Sequence, residues 1–147
     1  MIDLAAVKRA HAQFLDSHKA MTSRVGNAAS KRALSFVWAN PGFTPRSVAA
    51  QRGTKSHVKI MVGGVLVRVE NRVNHAIFLE KGTKAHDIRP RNKKYLRFWA
   101  GGGWVFSKGV KHPGTKPTRF LSRARDNAYE WAGAALRREM NRVAHNF

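Results

Sequence analysis

The chain of 147 residues contains no cysteine, which excludes disulfides and thiolate metal sites. That absence fits an intracellular or particle-borne protein without demonstrating either. No apolar run approaches the length of a membrane span. The amino terminus, MIDLAAVKRAHAQFLD, has acids early and no apolar signal core, so it does not read as a secretory signal. Acids are scarce: 8 Asp and Glu stand against 28 Lys and Arg, a net charge of +20. Such a chain repels itself unless something anionic is near, and nucleic acid, an anionic membrane surface or an acidic protein surface are the candidates.

What is present is enough for a core. The apolar fraction is 43%, near the globular average, and the length suits one domain. The charge is uneven: residues 71–117 hold eleven basic and two acidic residues, while 118–147 hold six and three. The electrostatic centre is therefore the middle of the chain.

Hydrophobic spacing predicts a long first helix over 2–38, because Leu4, Val7, His11, Phe14, His18, Met21, Val25 and Ala28 step by three and four along one face. Two histidines make the stripe mixed, so part of this face is expected to meet a neighbour or water. Gly26 is a possible bend. Two prolines and a glycine in ANPGFTP end the helix. In TPRSVAAQRG, Thr44 suits an N-cap, Pro45 the first helical position and Gly53 a stop, which fits a short helix or an ordered loop. HVKIMV and VLVRVE around Gly63 and Gly64 read as a hairpin, with Val58, Ile60 and Val62 on one face and Val65, Val67 and Val69 on one face. NHAIFLEKG is a short helix or turn closed by Gly82. A second hairpin follows, YLRFWA and WVFSKGVK around Gly101–Gly103. The last helix is expected over 118–145, capped by Thr118, with an apolar stripe from Phe120 to Val143 and arginines near its end. The fold class is α+β: one antiparallel sheet of two hairpins, spanning 57–111, with both terminal helices packed on one face.

Chemistry-bearing motifs are few. Gly-Thr-Lys occurs at 53–55, 82–84 and 114–116, but the flanking elements differ. The plain reading is a turn glycine, a threonine bonding back to the backbone and a solvated lysine. None of the three sits in a phosphate-binding loop pattern. The seven histidines show no HxH or HExxH spacing, and with no cysteine and few carboxylates no metal site is expected. Glu80 with His75 or His86 would suit an acid–base pair in a small basic nuclease, although a lone Glu among lysines is more often an ion-pair or turn residue. Lys81, Lys84, Arg89, Arg91, Lys93, Lys94 and Arg97, interleaved with Tyr95, Phe98 and Trp99, form a nucleic-acid or acidic-partner footprint. The strand spacing of the aromatics is equally that of a core.

The order of the weak motifs is more informative than any one of them. NHAIFLEKGT, Asn74 to Thr83, is followed by Pro90, an aromatic strand at Tyr95 to Phe98, a Gly-rich hairpin, and His112, Pro113, Gly114, Pro117, Phe120, Leu121 and Ala124 opening the last helix. This order resembles the small tail-completion or neck proteins of long-tailed bacteriophages, over roughly 57–145. One stretch departs from it: PGFTPRSVAAQRGTKS stands where the family often has a Pro…Asp-Thr-Gly segment, which leaves the conformation of 40–56 open.

The resemblance implies a tail-terminator-like fold and a structural protein with no catalytic residue and no cofactor. It implies a homo-oligomeric ring, usually a hexamer, at the head–tail junction of the virion, assembled in the host cytoplasm. The ring would cap the tail tube, dock on the head connector and surround a DNA channel, with no membrane partner. Its candidate assembly residues here are Glu80, Gly82, Thr83, Pro90, His112, Pro113, Gly114, Phe120 and Leu121. Glu80 would pair with Arg89 or Arg91 within or across subunits. Two other readings stay open: a generic basic nucleic-acid-binding domain and a small basic nuclease.

Overall fold

A computed structural model describes residues 3–44, 48–61 and 64–144. The first helix, α1, runs Leu4–Ala39. Asp3 caps it by accepting from the Ala5 N–H at 2.9 Å, and Asn40 closes it with an N–H bond to the Phe36 carbonyl before Pro41 stops propagation. Gly26 does not break it. Gly26 is buried against the following hairpin, and a Cβ there would collide with Val65 and Val58. The glycine thus serves a close approach of strand to helix.

A single turn, α2 (Ala49–Arg52), leads into β1 (Thr54–Met61), which pairs antiparallel with β2 (Gly64–Asn71). The expected Pro45 helix start lies outside the described residues, as do Val62 of the expected first strand and Gly63 of the expected turn. Val58 faces Val67 and Ile60 faces Val65 across the ladder, so one face is apolar, and Val67 and Val69 press on the helices. The other face carries Lys55, His57, Lys59, Leu66, Arg68 and Glu70.

After α3 (Ala76–Lys81) come β3 (His86–Ile88), β4 (Leu96–Ala100), β5 (Gly103–Ser107), β6 (Val110–His112) and the last helix, α4 (Phe120–Ala144). α4 lies antiparallel to α1: Phe120 and Val37 share a core cluster, Arg32 bonds Asn127, and Arg24 approaches Glu139. Their contact is built from small side chains, with Ala29, Ala33, Ala124, Ala128 and Ala132 buried. Small residues let two helices approach closely. At one end this seam widens to hold Phe120, fully buried and edge-on to Phe43.

The α+β class and the terminal helices are as the sequence implied, with α1 at Leu4–Ala39 and α4 at Phe120–Ala144. The single sheet is corrected. The described strands form three separate two-stranded ladders, β1–β2, β3–β6 and β4–β5. Only β1–β2 lies on the helices. The other two ladders follow one another along a single ribbon, which leaves the body between Thr83 and Thr115 and turns back at Gly101–Gly102. Both turn glycines have positive φ, +60° and +82°, the backbone a tight two-residue hairpin needs. Among the described residues, no helix is long and apolar enough to cross a membrane.

Candidate assembly joint and basic ribbon

Of the candidate assembly residues named from the sequence, all but Pro90 gather at the joint between α3, the ribbon root and the start of α4. α3 ends in carbonyls that have no partner within so short a helix. The Leu79 carbonyl accepts from the Thr118 N–H at 2.9 Å and from Thr118 Oγ1 at 2.8 Å, and the Glu80 carbonyl accepts from the Arg119 N–H at 3.2 Å. The Glu80 carboxylate reaches further. It accepts from the Leu121 N–H at 2.9 Å, the Ser122 N–H at 3.1 Å and Ser122 Oγ at 2.5 Å. Glu80 is therefore the cap of α4, supplied from 41 residues upstream of Leu121. A carboxylate at a helix N-terminus satisfies orphan donors and meets the positive end of the helix dipole.

Two expectations change here. Thr118 does not cap α4, because its hydroxyl donates to Leu79 instead. Within the chain Glu80 does not pair with Arg89 or Arg91, because its oxygens are taken by α4. The same occupation works against Glu80 as an acid–base group with His75 or His86. Arg119 turns the chain into α4 with φ +51°, an uncommon conformation for a non-glycine residue, held by its N–H bond to Glu80.

The repeated triplet has a meaning that spacing alone did not reveal. Gly82-Thr83-Lys84 and Gly114-Thr115-Lys116 pair with each other. Thr83 and Thr115 exchange backbone hydrogen bonds at 3.0 and 3.1 Å, and their hydroxyls meet at 3.1 Å. Gly82 has φ +72° and Gly114 φ +88°, and a Cβ on either would run into the carbonyl of the opposite threonine. Two glycines and two threonines thus form a symmetric clasp at the ribbon root. The third triplet opens β1 instead. The repeat is visible in the sequence, but which two copies meet is set by the fold.

Beyond the clasp, His86 and His112 face each other at 5.1 Å between ring centroids. His112 Nδ1 accepts from the Gly114 N–H, and His86 Nδ1 donates to the Lys84 carbonyl. With His75, Phe78 and Leu79 they line a cleft of about 680 Å³. No cluster of three metal-ligating side chains occurs among the described residues.

Further out, Ile88 pairs with Val110, and the next pair is Leu96 with Ser107. Residues 89–95 on one side thus face only Lys108 and Gly109 on the other. Ser107 Oγ pins the short side by bonding both the carbonyl and the N–H of Gly109. The long side is a bulge that carries Arg89, Pro90, Arg91, Lys93 and Lys94. Pro90 is therefore remote from the joint. Lys81 ends α3 and Lys84 follows the clasp, both exposed, and Arg97 lies in β4. Pro113 is exposed beside the clasp, while Phe120 and Leu121 belong to the core below it.

At the ribbon tip, cross-strand pairing puts Arg97, Trp99, Trp104 and Phe106 on one face and Leu96, Phe98 and Val105 on the other. The alternative of an aromatic core does not hold within the chain: Trp99, Trp104 and Phe106 are 62%, 55% and 64% exposed. Arg97 lies over the Trp104 ring at 3.9 Å, and Trp99 meets Trp104 edge-to-face at 5.4 Å. Trp104 and Phe106 were missed at the sequence level, because only the register of β5 brings them beside Arg97.

A second uncovered apolar surface lies at the other end of α4. Phe14, Met21, Met140 and Val143 line a groove of about 450 Å³ between the helices. Before it, α1 overhangs the groove by the residues Leu4–Arg9, about 9 Å at 1.5 Å per residue, with Leu4 and Val7 more than half exposed, as are Phe14 and Leu15 beside the groove. The polar face of β1–β2 carries one charge cluster, in which Glu70 meets His57, Arg68 and Arg72 at 3.2–3.4 Å. Burial alone would raise the Glu70 carboxyl, but the His57 hydrogen bond and the charges of Arg68, His57 and Arg72 outweigh it and hold it below its ordinary value.

No family model, curated protein or solved structure matches this chain.

Proposed function

We propose that the protein is a structural ring subunit at the head–tail junction of a long-tailed bacteriophage. In this reading it caps the tail tube and joins it to the head connector around a DNA channel, most simply as a hexamer. The observation that carries the assembly half of this reading is the position of its two uncovered apolar surfaces. The ribbon roots at the N-terminal end of α4, and the α1 overhang and groove lie at its C-terminal end, about 36 Å away along the 25-residue helix. Contiguous apolar surface of this kind marks interaction sites. A closed ring needs two different surfaces on each copy; the far end of α4 supplies one, and the Leu96, Phe98 and Val105 face of the ribbon supplies the other, which leaves the Trp99 and Trp104 face uncovered. The virion half rests on the motif order from Asn74 to Ala124, whose two ends, Glu80–Thr83 and His112–Leu121, meet at one joint while the segment between them forms the ribbon.

The joint gives the motif a physical role in such a ring. It fixes a projecting ribbon to a helical body through a clasp, a cap and a core phenylalanine. The ribbon is thereby held at a set direction from the surface at the other end.

The test is the size of the full chain in solution by light scattering, with negative-stain imaging. A discrete closed oligomer with a central opening, and antibody labelling at the necks of purified virions, is the expected result. A monomer at every concentration and salt, together with unlabelled necks, overturns the proposal.

A further inference from the structure

The ribbon carries a feature that ring formation does not require. Between Lys84 and Lys111 there are eight lysines and arginines against Asp87 alone, a net +7. The remainder of the chain is itself +13, so another copy offers the ribbon no compensating charge. The groove between α1 and α4 is lined by apolar side chains with Ser17 and His18, and no acid is there to receive it. Charge thus argues that the ribbon's occupant is a polyanion.

The shape of the ribbon narrows the class. Four of the cations sit in the 89–95 bulge, and the tip beyond it presents Arg97, Trp99, Trp104 and Phe106 on one face. An acidic peptide or a duplex backbone would satisfy the bulge but leave those rings in water. Unpaired bases would cover them, because every base has a flat face that stacks on an aromatic ring or a guanidinium plane. Arg97 already lies over Trp104 at 3.9 Å, which shows that the face accepts a planar group at stacking distance. We infer that the ribbon binds a single-stranded polynucleotide, with its backbone on the 89–95 bulge and bases stacked on the Arg97, Trp99, Trp104 and Phe106 face. This inference does not rest on the ring: a monomer would bind in the same way.

The experiment uses the full chain and three labelled probes, followed by fluorescence anisotropy over a range of salt. The probes are an oligothymidylate of about 16 nucleotides, a duplex of the same length and polyglutamate. The oligothymidylate is expected to bind tightest and to quench tryptophan emission. Its log affinity should fall linearly with log salt, as counterion release requires. Replacing Trp99→Ala and Trp104→Ala together should weaken it at least about tenfold with an unchanged salt slope, as expected when stacking is lost. Replacing Arg91→Ala and Lys93→Ala should instead flatten the slope. All these side chains are exposed, and circular dichroism checks that each variant keeps the parent's helix content. The inference is overturned if duplex or polyglutamate binds as well as the oligothymidylate, or if the tryptophan variants bind like the parent. It is also overturned if Trp99 and Trp104 prove shielded from a soluble quencher in a free oligomer, since that face of the ribbon is then a subunit contact.

Discussion

Glu80→Ala should destabilise the isolated protein through α4, whatever its state of assembly. The substitution removes an acceptor of three hydrogen bonds, from the Leu121 and Ser122 N–H groups and from Ser122 Oγ. Losing a side-chain helix cap costs about 0.5–2 kcal/mol. Losing the negative charge beside the helix N-terminus adds about 0.3–1 kcal/mol. The freed donors are only part-buried, so water recovers some of their desolvation cost. The expected loss is about 1–3 kcal/mol, substantial against a typical domain stability of about 5–15 kcal/mol. Glu80→Gln keeps an acceptor oxygen without the charge and should cost about half as much. Urea unfolding followed by far-UV circular dichroism, at one protein concentration and at low and high salt, measures both. An exposed ion pair with Arg89 or Arg91 would instead be worth about 0–1 kcal/mol and would fade with salt. The capping account fails if Glu80→Ala lies within about 0.5 kcal/mol of the parent, or if Arg89→Ala and Arg91→Ala abolish its effect in a double-mutant cycle.

Two further outcomes follow from the joint and the sheet. Gly82→Ala and Gly114→Ala each force a Cβ against the opposite threonine carbonyl at positive φ, and should cost about 1–3 kcal/mol. Native-state hydrogen exchange should then speed up at the Thr83 and Thr115 amides before it does in the α1–α4 seam, whereas Gly101→Ala, with open space around it, should leave the clasp protected. For Glu70 the folded carboxyl lies below its unfolded value, so its contribution is fully present above the unfolded pKa and is lost as pH falls through the folded one. A thermal melt across the acid range should show Tm falling on that limb, and Glu70→Gln should flatten it; equal acid slopes for the two proteins would count against the cluster.

The legible part of the fold was its local part. α1 and α4 declare themselves by apolar spacing over many turns, and the β1–β2 hairpin by β-branched runs around two glycines. What stayed hidden depends on distant pairing. A carboxylate caps a helix that begins dozens of residues later, and nothing local distinguishes Glu80 from a solvated acid among lysines. Merging the hairpins into one sheet was the natural reading of clustered strands. It fails because residues 89–95 interrupt the second ladder and because β4–β5 carries large side chains on both faces, where packing on a body would use only one. Conversely, the motif order from Glu80 to Leu121 was readable, and its two ends meet in space with Pro90 and the aromatic strand left out on the ribbon, although the roles assigned to Glu80 and Thr118 did not follow from order alone.

The charge and the joint bear on each other. Copies at +20 that approach edge to edge gain apolar contact and lose electrostatic energy, and the loss falls with salt and with bound anion. If the ribbon takes up nucleic acid as inferred, that uptake neutralises the most basic part of the chain while leaving the α1 overhang free for a neighbour. Binding and assembly are then thermodynamically linked: nucleic acid should tighten oligomers, and oligomers should bind nucleic acid more tightly by the same factor. On that reading the joint is what would let one chain do both. The clasp at Thr83 and Thr115 and the Glu80 cap hold the ribbon root on α4, so an occupied ribbon does not swing back over the groove at the far end. Loosening the clasp with Gly114→Ala should therefore weaken the linkage between salt, nucleic acid and oligomer size more than it weakens nucleic-acid binding itself. Light scattering with and without the oligothymidylate measures that difference, and a linkage unchanged by the substitution would show that the joint does not carry it.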